Sequence, residues 1–445
     1  MGAGDAASGT RGGPARQGNR VQHLIVVIVV AVAYGALGGI AAAIAYAPTD
    51  AWTVWLASGM VFGALLAVRR ERWAAVLAGG FVGAAAFALW IGTTVVDALG
   101  YGVIEVLASG GAALLVSRLA TLPLKLDSAR DLAALVAAGA LPLAFAGALL
   151  ATGWHVATGG NTPDVTFRVW VLSNFIGTLL VAPMVIAWSQ FRIQRSGGMP
   201  MPVFAAGAVA CALFLVSMEL LFDAPVGTRF GGLVGRALTY VPIVFMAIVA
   251  LLWGTRGATL AAFAGALIAM VNTAQGEGPF AGVEGFLGEP ELEVEGYALA
   301  IALTGLLIAV LAAAQRNAVR AARDWRTRFE AAIGAHRLLA YEWDPASGSM
   351  VVTGDAATLV GVPAGRIGTL ADWLALVAAA DRDRVGARFD ERVQGRGDAD
   401  VLTYGVGASA AATDEARAIR DHDGQLHRVV GIVRIAPAVA AEVRA

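Results

Sequence analysis

The sequence predicts a multi-span α-helical membrane bundle, about ten spans with eight as the alternative count, followed by a small cytoplasmic α+β domain. Three observations predict it. The 445 residues are 58% hydrophobic and only 15% charged, against roughly 45–50% and 25% in ordinary soluble domains. About ten apolar segments approach the ~20 residues needed to cross a bilayer. After Glu330 the texture changes to short apolar runs separated by turn signals, the pattern of a small sheet with helices.

Residues 1–20 are small and polar, with Arg11, Arg16 and Arg20, and read as a disordered cytoplasmic tail. The first apolar run, Val21–Ala47, is longer than the ~7–15 residues of a signal-peptide core and reads as an anchor. The other segments lie near Val54–Val68, Trp73–Trp90, Val96–Ser117, Leu132–Thr152, Val169–Gln190, Val203–Phe222, Thr239–Trp253, Ala258–Thr273 and Tyr297–Ala314. Basic residues follow every second one: Arg69, Arg70 and Arg72; Arg118, Lys125 and Arg130; Arg192 and Arg195; Arg256; and Arg316 onward. Such loops face the cytoplasm. The connection after the ninth segment is instead acidic, from Glu277 to Glu295. Arg168, Arg229 and Arg236 are the exceptions, and the alternation places both termini inside. Gly79 and Gly83 are spaced for close helix approach.

The last apolar segment runs into Gln315–Glu330 with no Gly or Pro, so the helix continues out of the bilayer. This divides the chain into a membrane domain over 21–315, a juxtamembrane helix over 316–328, a soluble domain over 329–436 and a tail over 437–445. Arg320, Arg323, Trp325 and Arg326 are the candidate relay residues of that helix. Their charge also suits an anionic inner leaflet, so nucleic-acid binding is not expected. In the soluble domain the expected order is strands at Leu338–Trp343 and Ser349–Thr353, helices at Ala356–Val362, Leu370–Ala380 and Asp383–Val393, then strands at Asp398–Gly405, Thr413–Arg420 and Leu426–Ile435. Asp423-Gly424 signals a tight hairpin between the last two.

Within the membrane, Asp97, Tyr101 and Glu105 recur every four residues and share a broad helix face. A buried acid in a bilayer is a functional-site candidate by default. By rise per residue Glu105 lies about 12 Å deeper than Asp97, and Asn174 about 8 Å below Arg168–Val169. Ser58 falls at similar depth; Glu219, Asn272 and His155 approach the outer ends. The expectation is a polar cavity open to the outside that receives an unknown small ligand, the alternative being hydrogen bonds between helices with no ligand.

Trp55-Leu-Ala-Ser-Gly59, followed by an apolar run and Arg69-Arg70-Glu71-Arg72-Trp73, resembles the start of the MASE1 family of bacterial membrane-associated sensor domains. Asn174-Phe-Ile-Gly177-Thr-Leu-Leu-Val-Ala-Pro183 resembles its later motif, and the resemblance spans roughly Ile25 to Gln315. It adds Trp55 to the candidate ligand-sensing set and implies an integral sensor of a bacterial plasma membrane, usually fused to histidine-kinase, diguanylate-cyclase or phosphodiesterase domains. The soluble part resembles a PAS domain: Ala340-Tyr-Glu-Trp-Asp-Pro345, Trp373-Leu-Ala-Leu-Val377 with Asp381-Arg-Asp-Arg-Val385, and the closing Val430-Gly431-Ile432-Val433. It departs where Arg434-Ile435-Ala436 replaces the usual Asp-Ile-Thr that couples PAS to an effector.

One cysteine, Cys211, excludes an internal disulfide or a cysteine metal cluster. No cofactor is expected: the soluble part has no cysteine for flavin photochemistry, His422 and His427 read as a solvated turn, and a haem pocket built on His336 is not expected. No kinase, cyclase or phosphodiesterase signature follows, so no catalytic domain is expected in this chain. The leading expectation is a homodimeric sensor in the lipid bilayer that acts through a separate kinase or cyclase partner. The alternatives are the input half of a truncated or split sensor kinase or cyclase, and a transporter with a regulatory domain.

Overall fold

Small residues decide how the membrane helices meet. The computed structural model describes residues 14–44, 54–189, 199–223, 237–281, 289–394, 399–407, 410–422 and 424–437. The chain divides into two compact units, Met1–Arg316 and Asn317–Ala445. The first contains helices α1 (Pro14–Ala43), α2 (Leu56–Ala67), α3 (Trp73–Trp90), α4 (Val95–Leu119), α5 (Ala129–Ala157), α6 (Pro163–Ser189), α7 (Met201–Phe222), α8 (Val241–Ala274) and the start of α9 (Glu289–Ala335). Among the described residues, eight helices are long and apolar enough to cross a bilayer, and α2 is shorter. Helix α1 begins at Pro14, inside the segment expected to be a disordered tail. Proline at a first helical position needs no hydrogen-bond partner and starts the helix early.

The short α2 accounts for one of the two segments by which ten exceeds eight; the other appears at Gly254, whose φ of 65° and ψ of −153° break α8. Met246 and Ala258 both approach Gly305, and a Cβ on Gly257 would lie 3.1 Å from Val249. On a straight helix, residues eight apart are separated by about 12 Å. The chain therefore doubles back, and α8 is a hairpin with limbs 241–253 and 255–274. These limbs are the eighth and ninth segments of the sequence. Only glycine makes the turn cheaply, because the required φ is positive.

Helix α2 lies on α6 with nothing between the backbones. A Cβ on Gly59 would come 2.7 Å from the Gly177 carbonyl oxygen, and one on Gly63 would come 2.8 Å from the Ala182 Cα. A Cβ on Gly177 would overlap the Trp55 carbonyl. Gly79 and Gly83 seat α3 against α1 in the same way, Gly83 against Tyr34. Apolar side chains such as Val32, Val95, Leu149 and Val209 remain exposed on the outside, as suits a surface solvated by lipid.

Helix α9 buries Val294, Tyr297, Ala298, Ile301, Ala302, Leu306 and Val310 on one face. The Tyr297 hydroxyl donates to the Thr239 carbonyl at 2.9 Å. From Gln315 to Arg328 every residue is exposed, so the helix changes from packed to solvated where the sequence loses its apolar face.

The second unit carries a five-stranded antiparallel sheet in the order β2-β1-β5-β4-β3. Its strands are β1 (Leu338–Trp343), β2 (Met350–Thr353), β3 (Ala399–Val406), β4 (Ala410–Arg420) and β5 (Leu426–Pro437). Helices α10 (Ala356–Val360), α11 (Leu370–Leu376) and α12 (Arg382–Val393) lie between β2 and β3 in sequence. Alternation along β1 turns Leu339, Tyr341 and Trp343 inward, against Trp373, Val385 and Phe389 from the helices. Gly361, at φ 80°, ends α10 two residues earlier than the sequence suggests. The last hairpin is wider than a two-residue turn: the Asp421 amide donates to the Gln425 carbonyl at 2.9 Å, and Gly424 has φ 76°. Asp423 lies outside the described residues.

A polar chain crosses this core. Trp373 Nε1 donates to the Tyr404 hydroxyl at 3.1 Å, and the Tyr341 hydroxyl is 3.1 Å from both oxygens of the buried Asp414. Arg392 is fully buried over the Phe389 ring at 5.2 Å and attracts Asp414. Burial nevertheless pushes the Asp414 carboxyl from 3.8 up to about 6.

Two predictions follow from this packing. Gly177→Ala should destabilise the detergent-solubilised chain by about 2 kcal/mol or more, despite the ~1 kcal/mol that alanine gains in helix propensity. Gly39→Ala, with nothing within 4 Å of the new methyl, should be neutral or better; equal thermal stability of the two variants would contradict the packing. The second concerns pH. Asp414 has a raised folded value, so the folded unit favours its protonated form, and stability falls as pH rises from about 4 to about 6. The two-unit shift corresponds to ~3 kcal/mol. Asp344, Asp355, Asp372 and Asp381 are held low by hydrogen bonds from nearby side chains and amides, so their stabilisation is lost only below about pH 4, a separate window. Hydrogen exchange in β4, corrected for intrinsic rate, should show the loss between pH 4 and 6 in the wild type and a flat profile in Asp414→Asn.

Candidate functional site

The motif residues of two distant segments meet one buried acid. The α2–α6 contact brings the Trp55 amide onto the Ser173 carbonyl at 3.0 Å and Ser58 Oγ to 2.8 Å from Asn174 Oδ1. Ser58 Oγ also lies 3.0 Å from Glu105 Oε2. Glu105, on α4, is only 6% exposed. It accepts from Ser109 Oγ at 2.5 Å and from the Tyr34 hydroxyl at 3.3 Å. Asn174 Nδ2 donates to the Trp170 carbonyl at 2.9 Å, one turn back, which aims Oδ1 at Ser58. Helices α1 and α2 therefore bond to one carboxyl group on α4, and α6 reaches it through Ser58.

This network forms the floor of a cavity of about 370 Å³. Its walls are aromatic: Tyr34, Trp55, Phe87, Tyr101 and Trp170. Tyr101 stacks on Trp170 with centroids 5.9 Å apart, and Trp55 meets Phe87 edge-on at 5.3 Å. The cavity extends to Ile91 and Thr93, between α3 and α4, and to Val165 and Thr166, near the start of α6. It thus opens toward one end of the bundle, with Glu105 at depth. Among the described residues, none that lines it is Lys, Arg or His.

Of the residues expected from the sequence, Trp55, Tyr101, Glu105 and Asn174 line the cavity, and Ser58 joins the network beneath it. Asp97 does not line it. It caps α4 through Thr94 and accepts from Trp154 Nε1 at 3.1 Å. Glu219 is exposed, and Asn272 bonds to its own helix at Ile268. Sequence reasoning missed Tyr34, Phe87, Ser109 and Trp170 as site residues. Ser109 had a signal, because it continues the four-residue spacing of Asp97, Tyr101 and Glu105. Tyr34 had none, because its role depends on Gly83 letting α1 close onto α3.

The relay candidates are all solvated. Arg320 bonds to Asn317 at 3.0 Å, Arg326 to Glu330 at 2.8 Å, and Trp325, 62% exposed, meets Phe329 edge-on at 5.3 Å. Arg323 is likewise exposed. In the second unit the outer sheet face forms an open concavity of about 720 Å³ that includes Glu342, Glu415, Arg417 and Arg434. Among the described residues, no group of three or more His, Cys, Asp or Glu is placed to hold a metal ion.

Comparison with known proteins agrees with the membrane unit. The MASE1 family model matches residues 24–317. No curated protein matches the chain. Among solved structures, the N-terminal domain of a diguanylate cyclase with PAS/PAC sensor from Marinobacter aquaeolei is 16% identical over 22% of this chain and 92% of its own, with a TM-score of 0.20. A sensory box histidine kinase/response regulator from Burkholderia thailandensis is 20% identical over 25% of this chain and 85% of its own, with a TM-score of 0.21. The family match covers most of the chain, including both motifs that meet at Glu105 and every residue of the cavity floor: the chain belongs to the MASE1 family of membrane sensory domains of signalling proteins.

Proposed function

We propose that the protein is a bacterial plasma-membrane sensor, with both termini cytoplasmic. It detects a small stimulus in an outward-facing cavity above Glu105. The signal passes along α9, through the Arg320–Arg326 stretch, to a PAS-like C-terminal unit. Output comes through a separate kinase or cyclase, and the sensor acts as a homodimer. The observation that carries this reading is the convergence of Ser58, Glu105 and Asn174 from three helices on the floor of one cavity. An acid so deep in a membrane protein is costly to keep without a function. The continuity of α9 from Glu289 to Ala335 supports a mechanical route, and the strand order of the C-terminal sheet supports the PAS-like assignment.

The test compares two acids. Partner activity co-purified from native membranes should change by about fivefold or more in Glu105→Gln, equivalent to ~1 kcal/mol of coupling. It should change much less in Glu219→Gln, whose side chain is exposed. Near-wild-type output from both variants, or no signalling protein co-purifying at all, would sink the reading.

A further inference from the structure

Proton counting at Glu105 narrows what the cavity takes. Ser58 has one hydroxyl proton and faces two acceptors, Glu105 Oε2 at 3.0 Å and Asn174 Oδ1 at 2.8 Å. Asn174 cannot turn its amide nitrogen to Ser58 without losing its bond to the Trp170 carbonyl. With Glu105 ionised, one of the two contacts has no proton in it. With Glu105 protonated, the acid donates to Ser58, Ser58 donates to Asn174, and both contacts are hydrogen bonds. These side chains by themselves thus suit a neutral Glu105, and an ionised one needs a positive charge from elsewhere.

Among the described residues, none lining the cavity can supply that charge, since its walls include no Lys, Arg or His. Among the described residues, Tyr34 of α1 is the one other titratable group bonded to the acid; α2 and α6 contribute the neutral Ser58 and Asn174. On α4 itself, Tyr101 lines the cavity above Glu105, and Asp97 beyond it is held by Thr94 and by Trp154 of α5. The α3 lining is apolar, and Thr93, in the turn that follows α3, lies at the end of the cavity. What the walls do supply is the π-faces and edges of Trp55, Phe87, Tyr101 and Trp170. Aromatic faces attract a cation, most strongly one already stripped of water. A metal ion would instead need a shell of oxygen ligands, which rings do not offer.

We propose that the cavity binds a small organic cation, of the ammonium or quaternary ammonium class, in exchange for the Glu105 proton. The class rests on the sensing reading above, but its test is separate. In the exchange Glu105 releases its proton to solvent as the cation enters, so charge is conserved in the site. Binding therefore tightens as pH rises, up to tenfold per pH unit while Glu105 is protonated, and one proton leaves per cation bound.

The experiment is calorimetric titration of the full chain in nanodiscs with choline, tetraethylammonium and benzyltrimethylammonium, and with 3,3-dimethylbutanol as the neutral isostere of choline. Runs in two buffers of different ionisation enthalpy count the protons released. The expected result is binding of at least one cation, tighter at higher pH with proton release, and the alcohol weaker than choline by tenfold or more where choline binds. Glu105→Gln should abolish the pH dependence, and Trp170→Ala should weaken the cation; Glu219→Gln should change neither. Binding of no cation, equal binding of choline and the alcohol, or pH-independent binding in the wild type each overturns the proposal, and the last needs no variant to fold. Cation binding that leaves a spin label at Ala322 unmoved would uphold the cation class and count against the sensing reading instead.

Discussion

Everything at the candidate site depends on how closely α2 and α6 approach. Gly59, Gly63 and Gly177 leave no side chain between the two backbones, so the helices touch through main-chain atoms. That contact sets Ser58 against Asn174 at 2.8 Å. A methyl group at Gly177 would push the helices apart and carry Ser58 away from both Asn174 and Glu105. In a bilayer, where lipid is as apolar as leucine, such packing and the polar contacts it permits are main sources of helix association. The short length of α2 is consistent with this role. It is enclosed by protein along most of its length, with residues 56–59 and 61–66 buried, and so need not match the bilayer thickness itself.

The same closeness creates the electrostatic problem at Glu105. A carboxyl group among apolar helices is tolerated when its polar atoms are hydrogen-bonded; the Tyr34 and Ser109 hydroxyls donate to it, and Ser58 can accept its proton. Hydroxyls satisfy lone pairs without supplying charge. The site is therefore balanced for a neutral acid and unbalanced for an ion. This is the condition under which a positively charged visitor gains most, because it enters low-dielectric surroundings where attraction to an anion is strong.

Much of this was legible in the sequence, and the parts that were not share a cause. Periodicity of four marked Tyr101 and Glu105, and loop charge together with segment length marked the helical segments, including the two limbs of α8. The strand order around Asp344 and Gly424 was legible because turns are local. Tyr34 and Trp170 were not, since nothing near them in sequence says which helices touch. Asp97 was misplaced for the complementary reason: spacing put it on the Glu105 face, but a capping bond to Thr94 and the indole of Trp154 claim its side chain at the helix end. The N-terminal boundary also slipped, because a polar stretch starting at a proline was taken for a tail.

The second unit shows the same physics with the opposite outcome. Asp414 is buried like Glu105 and also accepts from tyrosine, but it feels the charge of a buried guanidinium. Arg392 attracts it, while the Tyr341 and Tyr404 hydroxyls hold the carboxylate in place. Even so, burial dominates and the group sits near 6. A nearby permanent cation thus does not fully offset desolvation in a packed core. For Glu105, with no basic residue among the described residues of its cavity, nothing comparable offsets burial. If a cation does occupy that cavity, its charge must act at contact distance, between the aromatic walls and the carboxylate, to hold Glu105 ionised.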